Sequence, residues 1–286
     1  MTTTLRPAEP EQRWRGGVRA RRFHVCVNGR PVGETTLCTD ARFGPEVGRI
    51  AALRIDHDQQ RRGRGTVAAL AAEEVLRGWG CRRIEVSVRT EDTAALRLAG
   101  VLGYVVRNRN MLKALPDAPP ALPGGSVVRP MTEAEYPGWA ARKQDEYVRS
   151  WTRRGVPEAQ ARAKARADDL AALPEGLATP GAVLRVLEVG GAGGAGEARE
   201  AGQVVGELWV GRRDETTGFV FDVHVAEGHR GRGHGRTLML AAERECLAAG
   251  LRWIGLNVFA GNEAAEGLYG ALGYGVTEVH LAKPLL

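Results

Sequence analysis

No segment of this chain approaches the roughly eighteen consecutive apolar residues of a membrane span, and its first residues hold no basic stretch leading into an apolar run. Neither membrane insertion nor secretion is expected, and the expected location is the cytoplasm. Cysteine is scarce. Cys26, Cys38, Cys81 and Cys246 form no Cys-x-x-Cys and have no nearby histidine pair, so they read as reduced, buried thiols, and no metal is expected. Aromatic residues make up only 6% and none interleaves with the basic segments, which excludes a stacking surface for single-stranded nucleic acid. Lysine is almost missing: Lys113, Lys143, Lys164 and Lys283 are its only positions, while Lys and Arg together number 40. The net charge of +6 is therefore carried by arginines spread among acids, a balance that suits a small polyanionic ligand as well as a nucleic acid.

What the chain does have is a repeat. At 286 residues there is room for two domains. Sliding the sequence by 170 positions superimposes two strand–helix series over about forty residues without a gap. Gly63 and Gly65 fall on Gly233 and Gly235; Glu73 falls on Glu243; Gly80, Ile84 and Val88 fall on Gly250, Ile254 and Val258. Leu102, Gly103 and Tyr104 fall on Leu272, Gly273 and Tyr274. The division expected is a first domain over 1–114, a Pro-rich linker over 115–125 and a second domain over 126–286. Between its first strand and its hairpin the second copy carries about fifty residues, with helices expected over Thr132–Arg154 and Pro157–Leu173, where the first has only Arg6–Arg21. Gly190–Gly202 reads as a flexible hairpin tip.

Each copy runs from a strand into a Gly-rich turn and then a helix. In the second copy the strand is Phe219–Val225, the turn His229–Arg236 and the helix Thr237–Ala249. Such a turn leaves backbone N–H groups unpaired at a helix N-terminus, where the dipole adds positive charge. Arg230, Arg232 and Arg236, with Gly231, Gly233, His234 and Gly235 between them, make it a phosphate or pyrophosphate cradle. Asp222 and His224 are two apart on the strand and share a face, set opposite Phe221 and Val223 by alternation; either suits the role of a base. Asp145, Glu146 and Tyr147 are candidates to face a cationic substrate.

The pairing of Arg230-x-x-Gly233-x-Gly235 with Asn262-x-x-Ala265-x-x-Leu268-Tyr269-x-x-x-Gly273-Tyr274 resembles the GCN5-related N-acetyltransferase (GNAT) family. The resemblance covers both copies. It implies an α/β (α+β) fold of two tandem GNAT-like domains, each a mixed, mostly antiparallel sheet flanked by helices, a plan that mycothiol synthase shares. It also implies acetyl-CoA (coenzyme A) as co-substrate. Residues 230–236 would hold its pyrophosphate, and a backbone N–H near Val223 or Val225 would polarise its carbonyl. Asn262, which begins the second motif, is a candidate cofactor contact, while its place and that of Asp92 in the first copy suit a helix N-cap. Tyr269 stands where the family carries the tyrosine that protonates the departing thiolate, and Asp222 or His224 would take the amine's proton. In the first copy Asp222, His224 and Tyr269 become Ala52, Arg54 and Ala99, so it is expected to be degenerate and the second copy catalytic.

The resulting expectation is N-acetyl transfer to the primary amine of a small molecule, such as an aminosugar-type metabolite or antibiotic, by a monomer or homodimer that binds no nucleic acid and no membrane. A non-catalytic acyl-CoA sensor and a protein N-terminal or lysine acetyltransferase are the alternatives.

Overall fold

The computed structural model of the protein describes residues 3–41, 43–153, 155–190 and 202–285. Most of the expected hairpin tip, 191–201, lies outside them. The chain forms two compact units, residues 1–109 with 277–286, and residues 110–276.

The first unit contains β1 (Thr3–Pro7), β2 (Gln12–Arg13), β3 (Arg19–Val27), β4 (Arg30–Asp40), β5 (Gly44–Ile55), α1 (Arg64–Gly78), β6 (Arg83–Arg89), α2 (Thr93–Val101) and the start of β7 (Val105–Ala114). The β3–β4 hairpin turns at Asn28 and Gly29, both at positive φ (49° and 82°), which is the backbone that an Asn-Gly hairpin turn needs. α1 buries Ala68, Ala69, Ala72 and Leu76, one stripe at helical spacing, with Ala68 packed among Val25, Val27 and Val32.

The second unit continues with β8 (Ser126–Pro130), α3 (Tyr136–Thr152), α4 (Glu158–Ala172), β9 (Ala182–Val189), β10 (Gln203–Arg212), β11 (Thr217–Val225), α5 (His234–Ala248), β12 (Trp253–Phe259) and α6 (Glu263–Ala271). Its sheet runs β8-β9-β10-β11-β12, antiparallel except for the parallel β11–β12 pair. Leu238, Met239, Ala242 and Cys246 of α5 pack on Leu208, Val220, Ile254 and Leu256. A separate cluster joins Trp139, Leu173, Leu184, Val186 and Trp209, which seats α3 on the sheet. The fold is the mixed, mostly antiparallel sheet flanked by helices that the sequence led one to expect.

The last strands break the order of the repeat. β13 (Gly275–Pro284) gives its residues from Thr277 onward to the first unit, pairing antiparallel with β6 from Glu278–Arg89 to Pro284–Arg83. Asn110–Ala114 of β7 belong to the second unit, beside β12, where Leu115 N–H bonds Arg252 O at 2.9 Å. Leu285 N–H bonds Arg82 O at 2.7 Å, the same bond shifted by the repeat. Each compact unit is thus closed by the final strand of the other repeat, whereas the expected domain limits followed the repeat itself.

Candidate active site

The site grows from a place where the second unit's sheet opens. Parallel pairing of β11 with β12 runs from Thr217–Trp253 to Val220–Leu256 and stops, although β11 continues to Val225 and β12 to Phe259. On the other side β11 stays paired to β10 as far as Val225. Ala226 N–H reaches Val205 O on that side, so by alternation Val223 and Val225 turn their backbone groups to the open side. Arg230 Nε bonds Val225 O at 3.1 Å, as this orientation requires.

Below the opening lies the glycine turn. Gly231 and Gly233 have φ of 75° and 86°, and Gly233 caps α5 with no side-chain cap bond. A Cβ on Gly233 would meet nothing within 4 Å, so the space before the helix N-terminus is clear and the constraint is backbone conformation. Gly235 has another role: its Cβ would come within 3.2 Å of Leu268 Cδ2, so this glycine lets α5 approach α6. Arg230, Arg232 and Arg236 are exposed around the turn. His234 is shifted below the usual imidazole range by burial and then by His229 and Arg232. Clear N–H groups, a helix dipole and three arginines fit a pyrophosphate.

Above the opening, the strand departs from simple alternation. Glu207 pairs with His224 and Trp209 with Asp222, after which a bulge shifts the register so that Val210 pairs with Val220. Phe221 therefore joins the face of Asp222 and stacks on Trp209 at 4.4 Å, where alternation placed it opposite. Tyr269, on α6, is 7% exposed; burial, and next the Asp222 charge, push its hydroxyl up to about 12.

Asp222 and His224 are the two ends of one chain of contacts. Asp222 Oδ2 accepts from Trp139 Nε1 and from Arg142 Nη2, both at 2.9 Å. The same Nη2 lies 2.8 Å from Glu207 Oε2, and Nη1 donates to Glu146 Oε2 at 3.0 Å. Glu146 Oε1 then stands 3.4 Å from His224 Nδ1. That imidazole contact holds the Glu146 carboxyl below the usual carboxylate range against its partial burial, with the Arg142 charge assisting.

Of the three α3 residues suspected in the sequence, only Glu146 reaches this group. Asp145 is exposed near Arg162 at 3.9 Å, and Tyr147 donates to Asp168 at 2.7 Å. Trp139 and Arg142 escaped the sequence reading because their stripe with Glu146, at helical spacing of three and four, mixes apolar and charged residues. Asn262 is occupied as the N-cap of α6, accepting from Ala265 N–H at 3.2 Å, and Asp92 does the same for α2 at 2.9 Å.

In the first unit the cradle persists, with Gly63 capping α1 at φ 72°, and β5–β6 pairing likewise ends early, at Arg49–Glu85. The counterparts of Asp222, His224 and Tyr269 differ. Ala52 and Arg54 are exposed, and Ala99 is buried where the second unit has its tyrosine.

The model of the acetyltransferase (GNAT) family matches residues 2–104 and 175–274. The uncharacterized N-acetyltransferase YycN of Bacillus subtilis (strain 168) is 28% identical over 165 residues, spanning 56% of this chain and 98% of its own. Among solved structures, a GCN5-related N-acetyltransferase from Sphaerobacter thermophilus shares the fold at TM-score 0.59 and 19% identity, over 92% of this chain and 80% of its own. A tandem GNAT protein from the clavulanic acid biosynthesis pathway does so at TM-score 0.50 and 18% identity, over 95% of this chain and 85% of its own.

Proposed function

The chain belongs to the GNAT acetyltransferase family and is an acyl-CoA-dependent N-acetyltransferase, and we propose that its second repeat transfers acetyl directly from acetyl-CoA to the primary amine of a small molecule, such as an aminosugar-type metabolite or antibiotic. The observation that carries this reading is the convergence, in the second unit alone, of an open strand edge, a glycine cradle and a set of proton-transfer groups.

In this reading the turn 230–236 binds the coenzyme's pyrophosphate through N–H groups at the α5 N-terminus, with the arginines as counter-charge. Val223 or Val225 offers a backbone N–H from the open edge of β11 to the acyl oxygen, a fixed donor needing no reorganisation. The co-substrate supplies an activated acyl group. The protein's part is to take one proton and give another.

His224 takes the proton from the attacking amine. Asp222, the other candidate, already accepts two hydrogen bonds on Oδ2 and balances Arg142, so protonating it would break that ion pair. Its role is to hold Trp139 and Arg142 in place. Tyr269 gives its proton to the leaving sulfur. With its hydroxyl pushed up to about 12, it keeps that proton throughout the neutral range. Asn262 serves this site as a helix cap.

The test is a screen of aminosugars and small amines with free-thiol release from acetyl-CoA as readout. Amine-dependent thiol release supports the reading. Acetyl-CoA binding without release by any amine would point to a sensor, and release only with peptide amines to a protein acetyltransferase.

A further inference from the structure

We propose that Glu146 is a positioning residue for His224, holding its imidazole as the Nδ1–H tautomer so that Nε2 is the nitrogen presented to the acceptor amine. The proposal rests on the reading of His224 as the base. It adds what makes that histidine competent and names a residue on another element as responsible.

The geometry assigns the role. Neutral imidazole carries one proton, and the nitrogen that keeps it is set by the group facing the other side of the ring. Here Glu146 Oε1 faces Nδ1 at 3.4 Å, and a carboxylate can only accept, so the proton belongs on Nδ1. Nε2 then carries the lone pair. A carboxylate on a free helical side chain would fix nothing, but this one is itself fixed. Its second oxygen, Oε2, accepts from Arg142 Nη1, and Arg142 is tied in turn to Asp222 and Glu207. The partly buried aspartate that accepts from Trp139 thus anchors, through arginine and glutamate, the orientation of a histidine on the same strand.

The charged groups facing His224 from each packed element are few. On β10 its cross-strand partner is Glu207, whose carboxylate is committed to Arg142. From α3 come Glu146 and Arg142, with Arg149 adding a positive charge near Glu146. Asp222 lies on its own strand, and its charge is felt by Tyr269 of α6. Glu146 alone among the acids reaches the ring at ion-pair distance among the described residues.

The experiment is nitrogen-15 NMR of the whole 286-residue chain labelled on its histidines, of which there are six, at mildly alkaline pH. His224→Gln identifies the signal. The expected result is an Nδ1–H imidazole in the wild type and loss of that preference in Glu146→Ala, with restoration in Glu146→Gln, whose amide oxygen can still face Nδ1 as an acceptor. Turnover with the fastest amine of the acceptor screen should fall at least about 10-fold in Glu146→Ala through kcat, with KM for acetyl-CoA unchanged, the scale on which partners orient metal-bound histidines. A wild-type Nε2–H tautomer, or a tautomer indifferent to Glu146→Ala, overturns the proposal. The underlying reading fails separately: full turnover in His224→Ala would remove the base and leave the tautomer result standing as structure alone.

Discussion

Lys283 Nζ lies 2.7 Å from Glu73 Oε2, pairing the last strand of the chain with a helix of the first repeat 210 residues earlier. Lys113 Nζ lies 2.7 Å from Glu243 Oε1 in the second unit, and the two pairs are each other's images under the 170-residue repeat. Both glutamates are buried, at 4% and 1% exposure. Tyr104 and Tyr274, also repeat counterparts, lie under the two ammonium groups with ring centroids 5.6 Å away. Two of the chain's four lysines are thus spent on the same contact, made crosswise between repeats.

Removing one lysine should leave an uncompensated buried carboxylate. Lys283→Met or Lys113→Met is expected to cost on the order of 3 kcal/mol. Adding Glu73→Gln to the first, or Glu243→Gln to the second, should recover much of it. Chemical denaturation measures both, and a full-size loss that persists in the double variants would show that the pairing is not what matters there.

The repeat made most of this fold legible and concealed its most unusual feature. Lys113 and Lys283, Glu73 and Glu243 stand in equivalent places, so pairing within a repeat and pairing across repeats leave one and the same sequence pattern. Only the register of β13 on β6 distinguishes them. The glycine turn before α5 was readable because Gly231 and Gly233 need positive φ, which glycine announces. The bulge beside Asp222 was not, since nothing in Phe219–Val225 marks where alternation slips by one residue. Nor was the contact chain from Asp222 to His224, because Arg142 and Glu146 come from an inserted helix with no counterpart in the first repeat.

The two cradles should separate in function. Gly233→Val forces a β-branched residue into φ 86° at the cap of α5 and should abolish productive acetyl-CoA binding by the second unit. Gly63→Val, at φ 72°, should leave turnover in place while costing stability or a second bound coenzyme. Calorimetry with acetyl-CoA, alongside thiol release, reads both, and loss of turnover in Gly63→Val with normal binding in the second unit would contradict the division of labour.

Asp222 and His224 should also differ. Asp222→Asn keeps an acceptor for Trp139 but weakens the hold on Arg142, and is expected to change KM for the acceptor with less than about a 10-fold loss in kcat. His224→Ala should cost about 10²-fold or more. Its remaining rate should climb with pH, because the fraction of neutral amine then rises without help. The reverse ranking in steady-state kinetics would make Asp222 the base.

The most direct test of the account is Tyr269→Phe in single-turnover experiments with acetyl-CoA and a competent amine. The substitution keeps a buried ring against Tyr274, 6.0 Å away, and removes only the hydroxyl. With its hydroxyl pushed up to about 12, Tyr269 should hold its proton across pH 7 to 10, so the wild-type rate should show no alkaline loss from this group in that range. The account predicts a fall of about 10²-fold in the rate of thiol release, with acetyl-CoA affinity and thermal stability near wild type. Thiol release at the wild-type rate in Tyr269→Phe would contradict it.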